Sequence, residues 1–285
     1  MIKIIIDSAS DITQEEAEKK GIRMIPLEVR FGDEVYLDGV NLMPQQFLEK
    51  LIESNTLPKT SQINEYRWTE QFEQLTANGD QVIAITISSK LSGTYSSAKM
   101  AAKKFAGKVF VVDSLSAATG ERILCDYALR LVAEGKTADE IFAELEQVKH
   151  KIQVIAVVDT LKYLRKGGRI SAVTAFAGEL LSIKPVIAVI NGEVKMAGKA
   201  LGSKKSNNLL MQLMQKCGGV DFNMPYGLIF SGYRDEYLRK YLEDSACLWQ
   251  DHVSDIKDIP VYMYGSTIGT HVGPNALGVA FFANK

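Results

Sequence analysis

The chain has 285 residues, 46% of them hydrophobic and 24% charged, and its 33 Lys and Arg nearly balance 34 Asp and Glu for a formal net charge of −1. That balance gives no bulk attraction to nucleic acid or an anionic membrane, and no apolar run reaches the roughly 18 residues of a membrane-spanning helix. The opening MIKIIIDSAS meets Asp7 after too short an apolar run for a signal peptide, and Cys125, Cys217 and Cys247 lie too far apart for metal-ligand spacing, so the expectation is a cytoplasmic protein with reduced core thiols and no metal.

From the N-terminus, IKIII is an apolar run ending in DSASD, and Thr13 and Glu16 are spaced as a capping box for a helix that stops at Gly21. RMIPLEVRFGDEVYLDG reads as two extended pieces around Gly32-Asp33; Pro44 opens a helix to about Glu53, and TLPKTSQ reads as a loop. Trp68, Phe72 and Leu75 recur at helical spacing, and QVIAITIS is a buried strand. SSKLSGTYSSA follows, with a helix beginning just after Ser92-Gly93. KVFVVD is another strand; DSLSAATG then leads into a helix near 117–133, and Thr137 with Glu140 caps a helix to about His150. Three strands ending in hydroxyl-rich turns before helices predict a parallel sheet covered on both faces, with the turns gathered where such sheets bind ligands.

The second half reads differently. QVIAVVD is a strand, TLKYLRKGGRIS a short helix stopped by Gly167-Gly168, and AVTAFAGELLS a helix that is small and apolar nearly all round. KPVIAVINGEVKMAG is a hairpin turning at Asn191-Gly192. Helices over 203–217 and 235–247, a strand over 227–230, and strands near Val261 and Val279 complete the pattern, the last two flanking STIGTHVGPNALG, where Gly269, Gly273 and Pro274 predict a tight turn around His271. The fold expected is α/β in two domains: residues 1–150 with a mostly parallel sheet covered by helices, and residues 151–285 with a mixed or antiparallel sheet and helices.

No G-x-S-x-G elbow, P-loop, H-E-x-x-H or C-x-x-C is present. His150 and His252 sit among charges and read as solvated, whereas His271 has hydroxyls beside it at Thr267 and Thr270. Ser/Thr/Gly turns at helix starts aim N–H groups and hydroxyls at one spot, which suits a carboxylate or a phosphate. Lys162, Arg165, Lys166 and Arg169 form either a solvated basic face or a patch for an anion or acidic partner. Two other readings stay open on these residues: a serine hydrolase or acyltransferase using Ser92 and His271, with Asp7 or Asp113 as the orienting acid, and a phosphate-ligand-binding protein using the helix N-termini.

Taken together, DSASD, KTSQ, ISSKLSGTYSSA, VVDSLSAATG, LKYLRKGGRIS, Lys184-Pro185 and GTHVGP resemble, in order and along nearly the whole chain, the DegV family, the fatty-acid-binding carrier subunits of bacterial fatty-acid kinase. The resemblance implies an acyl chain buried between or within two α/β domains. Its head group would be held by Thr60 and Ser61 of the TSQ loop, Ser92 and Thr94 of the LSG turn, and Thr270 and His271 of the GTH segment. Arg169, with Arg165 and Lys166, would face an acidic partner or a phosphorylated head group. A separate ATP-dependent kinase would phosphorylate the bound long-chain fatty acid, so the carrier is no enzyme and needs no cofactor; membrane contact would be transient, and nucleic acid is no partner. The small residues of AVTAFAGELLS place Ala175, Phe176, Gly178 and Leu180 in the expected acyl chamber. A head group held by His271, with a reference pKa near 6.5, is expected to bind less tightly as pH rises. The chain departs from the family pattern at TSQIN, at Asn275, which would take a left-handed position where a second Gly is usual, and at Leu201, where an Arg is expected and docking to the kinase would change.

Overall fold

A computed structural model describes residues 1–54, 56–170, 183–232 and 235–284. The helix expected over AVTAFAGELLS, and with it Ala175, Phe176, Gly178 and Leu180, lies outside the described residues.

The first half begins β1 (Ile2–Asp7), α1 (Gln14–Lys20), β2 (Arg23–Ile25), β3 (Glu28–Phe31), β4 (Glu34–Leu37), α2 (Pro44–Glu53), β5 (Lys59–Ser61) and α3 (Glu65–Thr76). It continues β6 (Gln81–Thr86), α4 (Thr94–Ala102), β7 (Val109–Asp113), α5 (Thr119–Ala133) and α6 (Ala138–Val148). Strands in the order β2-β1-β6-β7 make a sheet whose pairings are all parallel. Alternate residues serve opposite faces: Ile5, Val82 and Ala84 pack with Trp68 and Phe72 of α3 and with Ala98 and Ala101 of α4, while Ile4, Ile6, Ile83 and Ile85 pack with α5 and α6. Two buried faces explain why these strands read as unbroken apolar runs.

The second half runs β8 (Ile152–Val157), α7 (Lys162–Lys166), β9 (Ile183–Ile190), β10 (Glu193–Leu201), α8 (Gly202–Lys216), β11 (Gly227–Phe230), α9 (Glu236–Asp244), α10 (Ala246–Trp249), β12 (Val261–Met263), α11 (Ser266–Val272) and β13 (Leu277–Phe282). Its strands form a mixed sheet in the order β10-β9-β8-β13-β11-β12, antiparallel except for β11 with β12. Ile155, Val157, Leu277, Val279 and Phe281 turn one face toward α8, α9 and α10. Ala156, Val158, Ile187 and Ile229 turn the other toward the hydrophobic cluster that holds Ile5, Trp68 and Phe72. One core therefore joins the two sheets.

Several local expectations are corrected. TSQ is not a loop: Thr60 and Ser61 pair with Val29 and Glu28, so β5 edges a small antiparallel sheet ordered β4-β3-β5. The segment around His271 is not a tight turn but α11, which Gly273 closes with φ +76°. The helix expected over 235–247 breaks at Ser245 into α9 and α10. Thr13 does cap α1 by accepting the Glu16 N–H at 3.2 Å, but the Glu16 carboxylate pairs with the Arg122 guanidinium instead of returning to the cap. Arg122 is 1% exposed, and a buried cation left without a counter-ion is costly. Of the thiols only Cys125 is buried; Cys247 is exposed. Asn275 takes the left-handed position with φ +56°, and the second capping box, Thr137 with Glu140, is complete.

Candidate functional site

Between the two sheets lies a cavity of about 260 Å³. Its apolar wall is drawn from both halves: Leu27, Ile87, Leu91, Ala117 and Ala118 from one, and Val154, Ala156, Leu164, Ile187, Val189, Val194, Ile268 and Val272 from the other. Thr60, Ser61, Gln62, Ser92, Gly93, Arg169 and His271 also line it. Thr60, Arg169 and His271 border a second, outer basin as well, together with Lys59, Lys162 and Lys166. These three residues are therefore the gate between the interior and the surface.

Each gate residue is placed by a different element. The edge strand β5 carries Thr60, whose Oγ1 lies 3.0 Å from His271 Nε2. His271 sits in the last turn of α11, whose N-terminus is anchored by two buried carboxylates. Asp11 accepts the Gly265 N–H at 2.7 Å, and Asp38 accepts both the N–H and the hydroxyl of Ser266 at 2.7 Å. A bare glycine lies behind the ring: a Cβ on Gly167 would stand 2.2 Å from His271 Nδ1. Arg169 reaches back across the gate, its Nε donating to the Leu91 carbonyl at 3.2 Å and its guanidinium also to the Gly167 carbonyl.

The hydroxyls of SSKLSGTYSS divide into separate tasks. Ser88 donates to the Gly192 carbonyl at 2.8 Å and so ties the β9–β10 hairpin to the turn after β6. The Ser89 N–H binds Asp113, and Ser97 accepts from Gln62 Nε2 at 3.0 Å. Ser92 and Thr94 share a hydrogen bond of 2.9 Å, and Thr94 also accepts the Ile63 N–H, which fastens the TSQ strand to the start of α4. A Cβ on Gly93 would collide with the Gln62 side chain, 2.0 Å away, so the glycine of this turn admits Gln62 to the wall.

Of the head-group residues expected from the sequence, Thr60, Ser61, Ser92 and His271 meet at the cavity. Thr94 stands behind Ser92, and Thr270 borders only the outer basin, its hydroxyl donating to the Ser266 carbonyl at 2.8 Å as a helix-internal bond. The basic cluster divides: Arg169 lines both the cavity and the basin, Lys166 the basin alone, and Arg165 is exposed and lines neither. Gln62, Gly93 and Gly167 went unread as site residues, although TSQ, LSG and GG each drew attention to the stretch. Tyr264 carried no motif, and on β9–β10 the Lys184-Pro185 and Asn191-Gly192 signals did not point to the valines that line the cavity.

Electrostatics overturn one expectation. Burial, helped by the nearby Arg169 cation, lowers the His271 pKa to about 4, so the imidazole of the free protein is neutral from pH 5.5 upward and supplies one N–H rather than a charge. The cation of the gate is Arg169. A hydrolytic arrangement finds no geometric support: His271 Nε2 pairs with Thr60, Ser92 pairs with Thr94, and His271 Nδ1 has no partner among the described residues. Also among the described residues, no group of three or more His, Cys, Asp or Glu is placed to hold a metal, and no helix is long and apolar enough to cross a membrane.

A family model described as "Uncharacterised protein, DegV family" matches residues 1–284. A DegV domain-containing protein of Caldanaerobacter subterraneus subsp. tengcongensis is 34% identical over 286 residues, covering 100% of this chain and 99% of its own. A solved DegV family protein from Thermus thermophilus, described by its fatty-acid binding, superposes with a TM-score of 0.87 at 30% identity and 99% coverage of each chain. DegV of Bacillus subtilis, described as a fatty acid binding protein, does so with a TM-score of 0.81 at 31% identity and 98% coverage of each. With the whole length matched in sequence and in fold, the chain belongs to the DegV family.

Proposed function

We propose that this chain binds a long-chain fatty acid without transforming it, the acyl chain in the cavity between the sheets and the carboxylate at the gate. The observation that carries the reading is the cavity's division: an apolar body built from both sheets, with hydroxyls, an amide, a guanidinium and an imidazole gathered at one end. A carboxylate buried without partners is costly, and this gate offers donors from Thr60, Ser61, Gln62, Ser92, Arg169 and His271. About 15 methylenes at roughly 0.8 kcal/mol each gain on the order of 10 kcal/mol gross, which the costs of association reduce heavily. The fatty acids bound by the Thermus and Bacillus relatives support the same ligand class here.

The carrier presents the bound head group, and an acyl phosphate made from it, to a separate ATP-dependent kinase. The support is the outer basin, which shares Thr60, Arg169 and His271 with the cavity and adds Lys59, Lys162 and Lys166 around the position a phosphoryl group would occupy. The two halves, divided near residue 150, act as the two walls of the cleft. Denaturing the purified protein, extracting with organic solvent and identifying the extract by mass spectrometry tests the ligand. Long-chain fatty acids are the expected result, and a phosphate ester with no acyl chain would replace this reading with that of a phosphate binder.

A further inference from the structure

Tyr264 sits between β12 and α11, seven residues before His271 and in the cavity wall but not in the outer basin. The residue is 3% exposed, and its hydroxyl has no hydrogen-bond partner among the described residues. It lies over Gly278, where a Cβ would stand 2.7 Å from the phenolic oxygen and 3.2 Å from the Cβ of Ala156, itself a cavity residue. Burial, and to a lesser degree the Asp11 carboxyl, raises the phenol's pKa, so it is a neutral O–H. No hydrogen bond joins it to Asp11, whose bonded oxygen accepts from Gly265.

Buried phenols normally find a partner. A plain hydrocarbon chain filling the cavity covers this one and leaves it unpaired. We infer that the cavity takes an acyl chain bearing a hydroxyl or keto oxygen along its length, away from the carboxylate, hydrogen-bonded to Tyr264. The ligand class is oxygenated long-chain fatty acids, and the inference rests on the fatty-acid reading above. Elsewhere along an apolar wall, a chain hydroxyl loses its water without compensation and weakens binding. Opposite Tyr264 it satisfies both groups at once.

The test measures displacement of a fluorescent fatty acid by stearic acid and by a series of stearic acids with one hydroxyl moved along the chain. Wild-type protein is expected to bind one or two adjacent positional isomers about tenfold more tightly than the other isomers, the range of one buried hydrogen bond. Tyr264→Phe keeps the ring and should bring those isomers down to the level of the rest. Stearic acid that binds while the isomers show no positional peak, or a peak that survives Tyr264→Phe, overturns the inference alone. Failure of every acid to displace the probe overturns the fatty-acid reading with it.

Discussion

Two adjacent glycines show how differently the same residue is used at the gate. Gly168 has φ +69° and open space around it, so it is glycine for its backbone; Gly167 has an ordinary φ of −76° and is glycine because His271 Nδ1 occupies the place of its side chain. Gly168→Ala is expected to cost about 1 kcal/mol of stability, read from denaturant midpoints, and to leave fatty-acid affinity alone. Gly167→Ala should displace the imidazole and weaken fatty-acid binding about tenfold, the worth of one hydrogen bond to a charged carboxylate, measured by displacement of a fluorescent analogue. His271 also leaves a mark on stability. Its unfolded form takes a proton near pH 6.5, the folded form only near pH 4, so the stability from holding it neutral is whole above 6.5 and is lost as pH falls between those values. NMR titration of the imidazole should give a midpoint near 4, and His271→Gln should remove that part of the acid-side decline.

The β9–β10 hairpin connects the fold to the size of the ligand. In register, Val189 stands opposite both Val194 and Val154, and all three line the cavity. Val189→Phe adds a ring to a wall on which an acyl chain rests, so lipid extracted from the variant should shift to shorter chains by mass spectrometry. An unchanged lipid profile in a folded variant would show that the chain does not reach this strand. The hairpin is held at its tip by Ser88, so Ser88→Ala should cost about 1 kcal/mol in chemical denaturation, the usual net value of a hydrogen bond. The same loop carries Ser92 to the cavity, where its hydroxyl pairs with that of Thr94.

Carboxylates set the pH response of the folded chain. Burial pushes Asp7 up to about 7, although it accepts N–H bonds from Ala9 and Ile87, and it raises Asp11 and Glu121 well above their usual range. A group whose folded pKa exceeds its unfolded value holds its proton longer when folded, so stability falls as pH rises from about 4 through the folded pKa. Asp38 is raised by burial as well, so four such groups oppose the single opposite slope of His271, and thermal unfolding should shift to lower temperature between pH 5 and pH 8. Neither Glu121 oxygen has a hydrogen-bond partner among the described residues, so Glu121→Gln should raise the midpoint at pH 8, change little at pH 5 and flatten the slope. A midpoint independent of pH across this range would mean that these carboxyls have partners that relieve their burial.

How much of this was legible in the sequence depends on the range of the force involved. Periodicity reports burial one element at a time, so β1, β6 and β7, the Asn191-Gly192 hairpin and the helices after Pro44 and Gly93 were readable from neighbouring residues. Motif resemblance grouped Thr60, Ser61, Ser92 and His271, and these four line one cavity. β5 escaped because three residues become a strand only through the edge of β3, and α11 escaped because Ser, Thr, Gly and His have no strong helical preference. Its first turn is held by Asp11 and Asp38, 254 and 228 residues away from their partners. The pKa of His271, the collision that keeps Gly167 bare, the reach of Arg169 from the basic basin into the cavity and the phenol of Tyr264, without a hydrogen-bond partner among the described residues, depend on which surfaces meet once the two sheets close over the cavity. Desolvation and close contact act over a few ångströms in space, and a linear string of residues does not record those distances.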